Sequence, residues 1–333
     1  MAKRFRDSEF YEQETIIGIN GELGVETEKQ RNERALSKLY FTREAQSGQD
    51  AVITARVSGV ESNGAYVFAI VYYETFKILI KDTDFMDFPE FDSERFYYPN
   101  EKKMHEVFMN SCIGAEIDFC LLPKKKINGK TVDTIDEENR VAFCSRKLAM
   151  LKQYRDYWLQ KKDGTRKINE GAMIAARVVR VSNVCVFYEC NGVEFKVPLQ
   201  DLSWHRISNA REVVHSGERH ILRIKQIQYA ADEKTTKPVV LASLKEVKKN
   251  PREKWFNLIN LGETHCGKIT APHGDKFYVR LDCGAEVMCS VSRNIQRYPM
   301  NGDHCTIIIE AKKEDTFFIY GKIVSVDSFQ YEL

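Results

Sequence analysis

The chain has 333 residues, of which 43% are hydrophobic and 29% are charged, as in ordinary globular proteins. This length is enough for two to four domains. The net charge of +2 excludes a polycation, so any nucleic-acid site must be a local patch. No apolar run approaches the roughly 18 residues that span a bilayer, and no apolar signal region follows the basic N-terminus. We therefore expect a cytoplasmic protein with no membrane partner.

An N-terminal arm and a leader helix are predicted over residues 1–47. The first 27 residues are polar and lack a clear period, which is typical of an arm. Over residues 28–45 the pattern becomes helical, because Ala35, Leu36 and Leu39 share one stripe at helical spacing.

A first five-stranded barrel is predicted over residues 48–145. The runs VITARVSGV, GAYVFAIVYY and TFKILIKDTDF are rich in β-branched and aromatic residues, as strands are. A long insertion rich in aromatic and charged residues follows at residues 86–111. Residues 117–122 and 141–144 would then complete the barrel, with residues 124–130 as an exposed, basic hairpin tip between them.

Two helical connectors are predicted, over residues 146–167 and 246–262. Ser145 can cap the first helix, and Pro251 suits the first turn of the second. Ser145-Arg-Lys matches Ser243-Leu-Lys, and an aromatic pair follows each at the same offset. Three aromatic residues are interpreted as docking helix against barrel: Trp158, Trp204 and Phe256.

A second barrel is predicted over residues 168–245 and a third over residues 263–333. The second has strand-like runs at residues 175–181, 184–189, 193–199, 220–227 and 239–244. The Asn191-Gly192 pair between two of these runs is a strong hairpin signal. The third set repeats the order with a shorter loop. The predicted fold is mostly β: tandem five-stranded barrels of the OB type, joined by helical connectors.

The second barrel resembles the S1 domain, the RNA-binding repeat of a bacterial ribosomal protein. The resemblance is carried by ARVVRVSNVCVFYE, VEFKVPLQDLSWHRISNAREVVHSGE and VVLASLKEVKKNPREKW, and it covers about one barrel. It implies a non-enzymatic protein that holds single-stranded RNA, at the ribosome or on messenger RNA. Single-stranded DNA is an alternative ligand.

The family carries two outward aromatic residues on the second strand and a histidine on the third. The first aromatic position is lost in all three repeats, where the residues are Asn63, Val184 and Asp275. The histidine position is lost as well, where the residues are Leu79, Pro198 and Ser290. The second aromatic position is kept in all three repeats, by Tyr66, Phe187 and Tyr278.

Basic residues share faces with these positions, because side chains alternate along a strand. Lys276 and Arg280 lie on the face of Tyr278, and further lysines lie on the histidine-equivalent face of the other two repeats. Bases can stack on aromatic rings while cations follow the phosphates. The predicted RNA-binding set is Tyr66, Lys77, Lys81, Phe187, Lys196, Lys276, Tyr278 and Arg280.

Other interpretations of these residues remain open. The aromatic residues could pack in a barrel or against a neighbouring domain. Barrels that have lost stacking residues could instead bind a protein, within a ribosome, a polymerase complex or a phage or mobile-element assembly. Leu79, Val184 and Pro198 make the altered face more apolar, which favours this alternative.

Enzyme and metal signatures are weak in this sequence. The third repeat is rich in His and Cys, but no pair has the C-x-x-C or H-x₃₋₅-H spacing of a structural zinc site. No phosphate-cradling glycine loop or G-x-S-x-G elbow is present. The sequence therefore predicts no catalytic residues, no metal and no cofactor.

Overall fold

The computed structural model describes residues 27–46, 48–64, 66–92, 98–127, 130–233, 236–293, 295 and 297–327. The predicted N-terminal arm lies outside these residues. The chain divides into two compact units. The first unit is Met1–Leu199 with Ser208–Ser243, and the second is Gln200–Ile207 with Leu244–Leu333. The limits predicted for the individual domains stay predictions.

The first part of the chain contains eight strands and three helices among its described residues. The helices are α1 (Glu28–Glu44), α2 (Asp82–Phe85) and α3 (Glu101–Asn110). The strands are β1 (Ile53–Asn63), β2 (Tyr66–Tyr73), β3 (Phe76–Lys81), β4 (Glu116–Leu121), β5 (Lys125–Ile127), β6 (Lys130–Val132), β7 (Ile135–Asp136) and β8 (Val141–Ser145).

Five of these strands form a ring, barrel 1, in the order β3-β2-β1-β4-β8. The parallel pairing of β3 with β8 closes the ring. Inward-facing apolar residues such as Val67, Ile78 and Phe119 are fully buried in it. The predicted hairpin tip is confirmed, since β5 and β6 pair antiparallel and their described side chains are exposed.

The insertion in barrel 1 contains a helix that the sequence analysis did not predict. This helix, α3, begins after Asn100, whose side chain accepts a hydrogen bond from the Lys103 N–H. Its buried residues are Met104 and Met109. Charged neighbours interrupt the apolar stripe, which therefore does not stand out at sequence level.

Barrel 2 is near-closed. Its strands are β9 (Met173–Val181), β10 (Cys185–Cys190), β11 (Val193–Pro198), β12 (Arg219–Gln228) and β13 (Val239–Ser243). They lie in the order β11-β10-β9-β12-β13, so β11 and β13 are edge strands. Each begins and ends within two residues of the predicted run. Two short helices adjoin this barrel in sequence: α4 (Arg146–Tyr157) before it and α5 (Leu199–Leu202) within it.

The connector helix α4 packs on the β10–β11 hairpin. Ser145 caps the helix, accepting from the Leu148 N–H, as predicted. Trp158, just after it, is fully buried and donates to the Cys190 carbonyl at 3.1 Å, which confirms its docking role. Gly192 has φ 85°, and a Cβ there would lie 2.0 Å from the Met150 carbonyl oxygen. Only glycine fits both the turn and the contact.

Barrel 3 is a closed barrel within the second unit, in the order β14-β15-β16-β18-β17. The helix α6 (Pro251–Leu258) precedes it and begins at the predicted proline, with Asn250 as its cap. Its strands are β14 (Thr264–His273), β15 (Lys276–Leu281), β16 (Glu286–Val291), β17 (His304–Lys313) and β18 (Phe318–Val326). The mostly β, tandem OB-type fold predicted from the sequence is thereby confirmed.

Membrane-spanning character is not found in the described helices: none has both the length and the apolar composition to cross a bilayer.

A buried ion network joins barrel 1 to barrel 2 inside the first unit. Arg146, at the start of α4, has a side chain that is 1% exposed and lies 2.5 Å from Glu189. Arg177 on β9 also lies 2.5 Å from Glu189 and reaches Asp118 on β4 at 2.7 Å. Burial would raise the pKa of Glu189, but the charges of Arg177 and Arg146 outweigh it and lower that pKa to about 2.

The substitution Glu189→Gln tests this network. It keeps the side-chain shape but leaves two buried guanidinium groups without their shared carboxylate, so we expect a loss of about 3–5 kcal/mol in unfolding free energy. Hydrogen exchange of the backbone amides of β4 and β10 in the full chain measures this loss in unfolding free energy. The control is Glu116→Gln, which removes an ion pair with Arg219, a side chain that is 66% exposed, and should cost under about 1 kcal/mol.

The pH dependence of unfolding is a second test of the role of the Glu189 carboxylate. The folded pKa of about 2 lies below the ordinary value of 4.5. The stabilisation is therefore complete above the ordinary pKa and is lost as the pH falls towards 2. The Glu189→Gln protein should lose this part of its pH dependence. Identical acid profiles for the two proteins would contradict the assignment.

Candidate nucleic-acid interface

The outer face of barrel 1 carries exposed aromatic rings beside lysine. Tyr66 begins β2 and is 50% exposed, on the opposite face from the buried Val67 and Ala69. The Lys81 Nζ lies 3.8 Å from the centre of its ring. Phe68 pairs with Lys81 across the strands. The centre of its ring lies 6.4 Å from the centre of the Phe143 ring on β8, in an edge-to-face arrangement. The predicted residues Tyr66 and Lys81 are therefore neighbours, and two further rings extend the face.

Lys77 lies at the far end of the same face. Its Nζ is 3.0 Å from the Glu61 carboxylate, so its charge is partly compensated. Its cross-strand partner on β2 is Tyr72, a largely exposed ring. Lys77 is thus apart from Tyr66 and beside a different aromatic side chain.

Barrel 2 places a cation on each side of its retained aromatic residue. Phe187 on β10 pairs with Lys196 on β11 and with Arg180 on β9. The Arg180 guanidinium lies 3.6 Å from the centre of the Phe187 ring. Phe187 is half-buried and Lys196 is exposed. The row Arg180–Phe187–Lys196 combines a flat stacking surface with two cationic side chains, of which Arg180 has the Glu194 carboxylate 3.8 Å away.

Barrel 3 has a row of two tyrosines and a methionine across three strands within the second unit. Tyr278 on β15 pairs with Met288 on β16, which pairs with Tyr320 on β18. Lys276 on β15 lies 5.9 Å from the Tyr320 ring. All four side chains are half-buried, so their outer surfaces remain accessible.

Two further groups approach Tyr278. The Arg206 guanidinium lies 5.0 Å from its ring centre, and the His273 ring lies 5.6 Å away. Arg280, predicted on this face, points outward but lies between Lys268 and Glu286 on the neighbouring strands. Arg280 is exposed, and the buried Glu286 carboxylate lies 3.3 Å from Arg252.

Sequence reasoning identified one aromatic residue and one or two cations per barrel, and it missed their cross-strand neighbours. The missed residues are Phe68, Phe143, Arg180, Arg206, Met288 and Tyr320. Strand alternation was the available signal, since Phe143 lies between buried Ala142 and Cys144. Alternation shows on which face of its strand a side chain lies. Placing that side chain beside Tyr66 or Tyr278 also requires the pairing of strands far apart in sequence.

The described residues contain no group of three or more His, Cys, Asp or Glu side chains arranged to hold a metal ion. The Cys120, Cys144 and Cys305 thiols are buried, while Cys185 is half-buried. The aromatic rings of these faces can stack on nucleobases, and their cations can contact phosphate groups.

Comparison with known proteins gives one curated relative. No protein-family model matches the chain. The small ribosomal subunit protein bS1 of Mycolicibacterium smegmatis is 24% identical over 176 residues, which cover 52% of this chain and 34% of that protein. The chain thus spans about a third of the length of the relative it matches.

Solved structures with similar parts have low superposition scores. One is the a/eIF2alpha–aDim2p–rRNA complex from Pyrococcus horikoshii, with a TM-score of 0.22 and 18% identity over 27% of this chain and 52% of that chain. Another is a multidomain protein with nucleic acid binding domains from Streptococcus pneumoniae, with a TM-score of 0.18 and 11% identity over 85% of this chain and 75% of that chain. The sequence match to bS1 by itself shows distant S1-domain similarity, and the strand orders described above show the tandem barrels of the OB type.

Proposed function

We propose that this chain is a non-enzymatic protein that holds single-stranded RNA on the outer faces of its tandem barrels. The observation that carries the proposal is repeated in each barrel: an outward aromatic ring on the second strand has a basic side chain against it. The pairs are Tyr66 with Lys81, Phe187 with Arg180 and Tyr278 with Arg206. Such a pair can stack a base and hold the adjacent phosphate.

The loss of the family's other stacking positions makes each barrel a weak site by itself. Weak sites on one chain reinforce each other, because binding at the first raises the effective concentration of the strand at the next. Three faces that each lack some stacking residues can therefore bind one strand together. They should tolerate different base sequences, since every base has a flat face. The distant similarity to a ribosomal protein supports RNA as the strand and the ribosome as a candidate location.

Salt dependence and strandedness test this binding mode. Affinity for single-stranded RNA should fall steeply with salt, because phosphate contacts release counterions. A duplex of equal length should bind more weakly, since its bases are not available for stacking. Fluorescence anisotropy with labelled RNA, DNA and duplex at several salt concentrations measures both effects. Equal or tighter duplex binding would reject the single-strand mode.

The triple substitution of Tyr66, Phe187 and Tyr278 by alanine tests the stacking role. At about 1–3 kcal/mol per stacked base, the total loss in binding free energy should reach several kcal/mol. The barrels should stay folded, because these side chains point outward. RNA titration and thermal unfolding of the same protein measure the two effects.

Matched variants control for aromatic content and for folding. Replacing Phe41 on α1, which is 52% exposed, with alanine removes an exposed ring away from the three faces and should leave binding unchanged. Replacing the fully buried Phe119 with alanine should instead destabilise barrel 1 by about 3–5 kcal/mol. Unchanged RNA affinity in the folded triple variant would contradict the proposal.

A protein-docking module is the second candidate function. Val184 occupies the first aromatic position of barrel 2 and is 67% exposed, which suits an apolar contact better than base stacking. Absence of RNA and DNA binding at low salt, together with a loss of partner binding in Val184→Ser, would favour this second function over the first.

A further inference from the structure

A cleft of about 420 Å³ lies within the first unit, where barrel 2 meets the connector helix α4. Its walls include Arg146 and Lys147 of the helix, Phe187 of β10, and residues of the two edge strands β11 and β13. This volume falls in the range of small-molecule sites, roughly 300–1,000 Å³. The cleft therefore shares Phe187 with the proposed stacking surface and extends from it to the connector helix.

Positive charge exceeds negative charge in this cleft. The cations that line it are Arg146, Lys147, Arg180, Lys196 and Lys237, and the carboxylates are Asp87 and Glu194. Both carboxylates are already paired: Asp87 lies 2.5 Å from Lys147, and Glu194 lies 3.1 Å from Arg146. Lys196 and Lys237 have no ion pair among the residues that the structure describes.

Lys237 lies in the cleft and forms no ion pair there with a described residue. Burial, and after it the charge of Arg146, lower the pKa of Lys237 and outweigh the more distant carboxylates of Glu189, Asp87 and Glu194, which raise it. Arg146 and Arg180 also each keep a buried Nε without a hydrogen-bond partner in the described part of the chain. An ammonium without an ion pair, in a cleft where cations outnumber carboxylates, favours an external acceptor that carries negative charge.

A flat surface adjoins these charges. The Arg180 guanidinium lies over Phe187 at 3.6 Å and 5.1 Å from the Phe108 ring of α3. Bases stack on guanidinium planes as well as on aromatic rings. A second depression, of about 390 Å³, is also lined by Arg180 and Phe187 and includes Tyr98 and Phe108.

We propose that this cleft binds one nucleotide, with its phosphate against Lys196 and Lys237 and its base against the Arg180–Phe187 pair. The proposal deepens the function above, since a strand on the face of barrel 2 would supply the nucleotide. A free nucleotide offers the same phosphate and base, so both sources enter the test.

The substitution Lys237→Gln tests the cleft in the full chain. Binding of single-stranded RNA or of adenosine 5′-monophosphate, measured by calorimetry, should weaken roughly ten- to a hundredfold, as expected for a lost charged hydrogen bond. The slope of log affinity against log salt for the strand should decrease by about 0.7, the contribution of one phosphate contact. The matched control is Lys162→Gln, which removes an exposed lysine that does not line the cleft.

Thermal unfolding without ligand separates a binding role from a structural one. A lysine whose pKa is lowered by folding costs stability while it is charged, so Lys237→Gln should melt at the same temperature as the parent or higher. Lys237→Arg keeps the charge and should keep most of the binding. A lower melting temperature for Lys237→Gln with unchanged affinity would assign Lys237 to structure and overturn the proposal.

The two sources of nucleotide give different results. Lys237-dependent binding of the monophosphate indicates a free nucleotide, and an effect on the strand alone indicates a backbone phosphate. If the parent binds RNA and Lys237→Gln matches it in affinity and salt slope, the cleft proposal fails while the RNA function stands. If the parent binds the monophosphate through Lys237 but no strand, the cleft proposal stands while the RNA function fails.

Discussion

The shared carboxylate of Glu189 is the contact on which the first unit depends. It holds two guanidinium groups, each 2.5 Å away, and one of these continues to Asp118 of the neighbouring barrel. Charges buried this deeply are tolerated only when each has a partner, because desolvation costs several kcal/mol per ion. The network therefore favours one arrangement of barrel 1, connector and barrel 2.

That arrangement also shapes the surfaces proposed to bind RNA. Arg146 belongs both to the ion network and to the wall of the cleft beside Phe187. Arg180 lies between Phe187 and the insertion helix of barrel 1. The connector of the second repeat has Leu244 where the first has Arg146, so the same network is not repeated there. The barrels are thus similar in fold while their surroundings differ.

Local patterns were sufficient to predict the barrel strands, the turn at Asn191-Gly192, the Ser145 cap, the first-turn Pro251 and the outward positions of the retained aromatic residues. Each of these is determined within a few residues of sequence. Contacts between distant segments were not predictable in that way. The stack of Arg180 on Phe187 requires the pairing of β9 with β10, and the row from Tyr278 to Tyr320 requires the parallel pairing of β16 with β18. The helix α3 was missed because charged residues interrupt its apolar stripe.

Ultraviolet cross-linking of single-stranded RNA to the full chain, followed by mass spectrometry of the cross-linked peptides, tests the central claim most directly. The claim is that the outward faces around Tyr66, Phe187 and Tyr278 contact the bases. Cross-links should fall on peptides from the second strands of the barrels, β2, β10 and β15, and from the neighbouring strands that carry Phe143, Arg180 and Tyr320. Cross-links confined to the exposed apolar residues Met173 and Ile221 of barrel 2, or to the hairpin of β5 and β6, would contradict it.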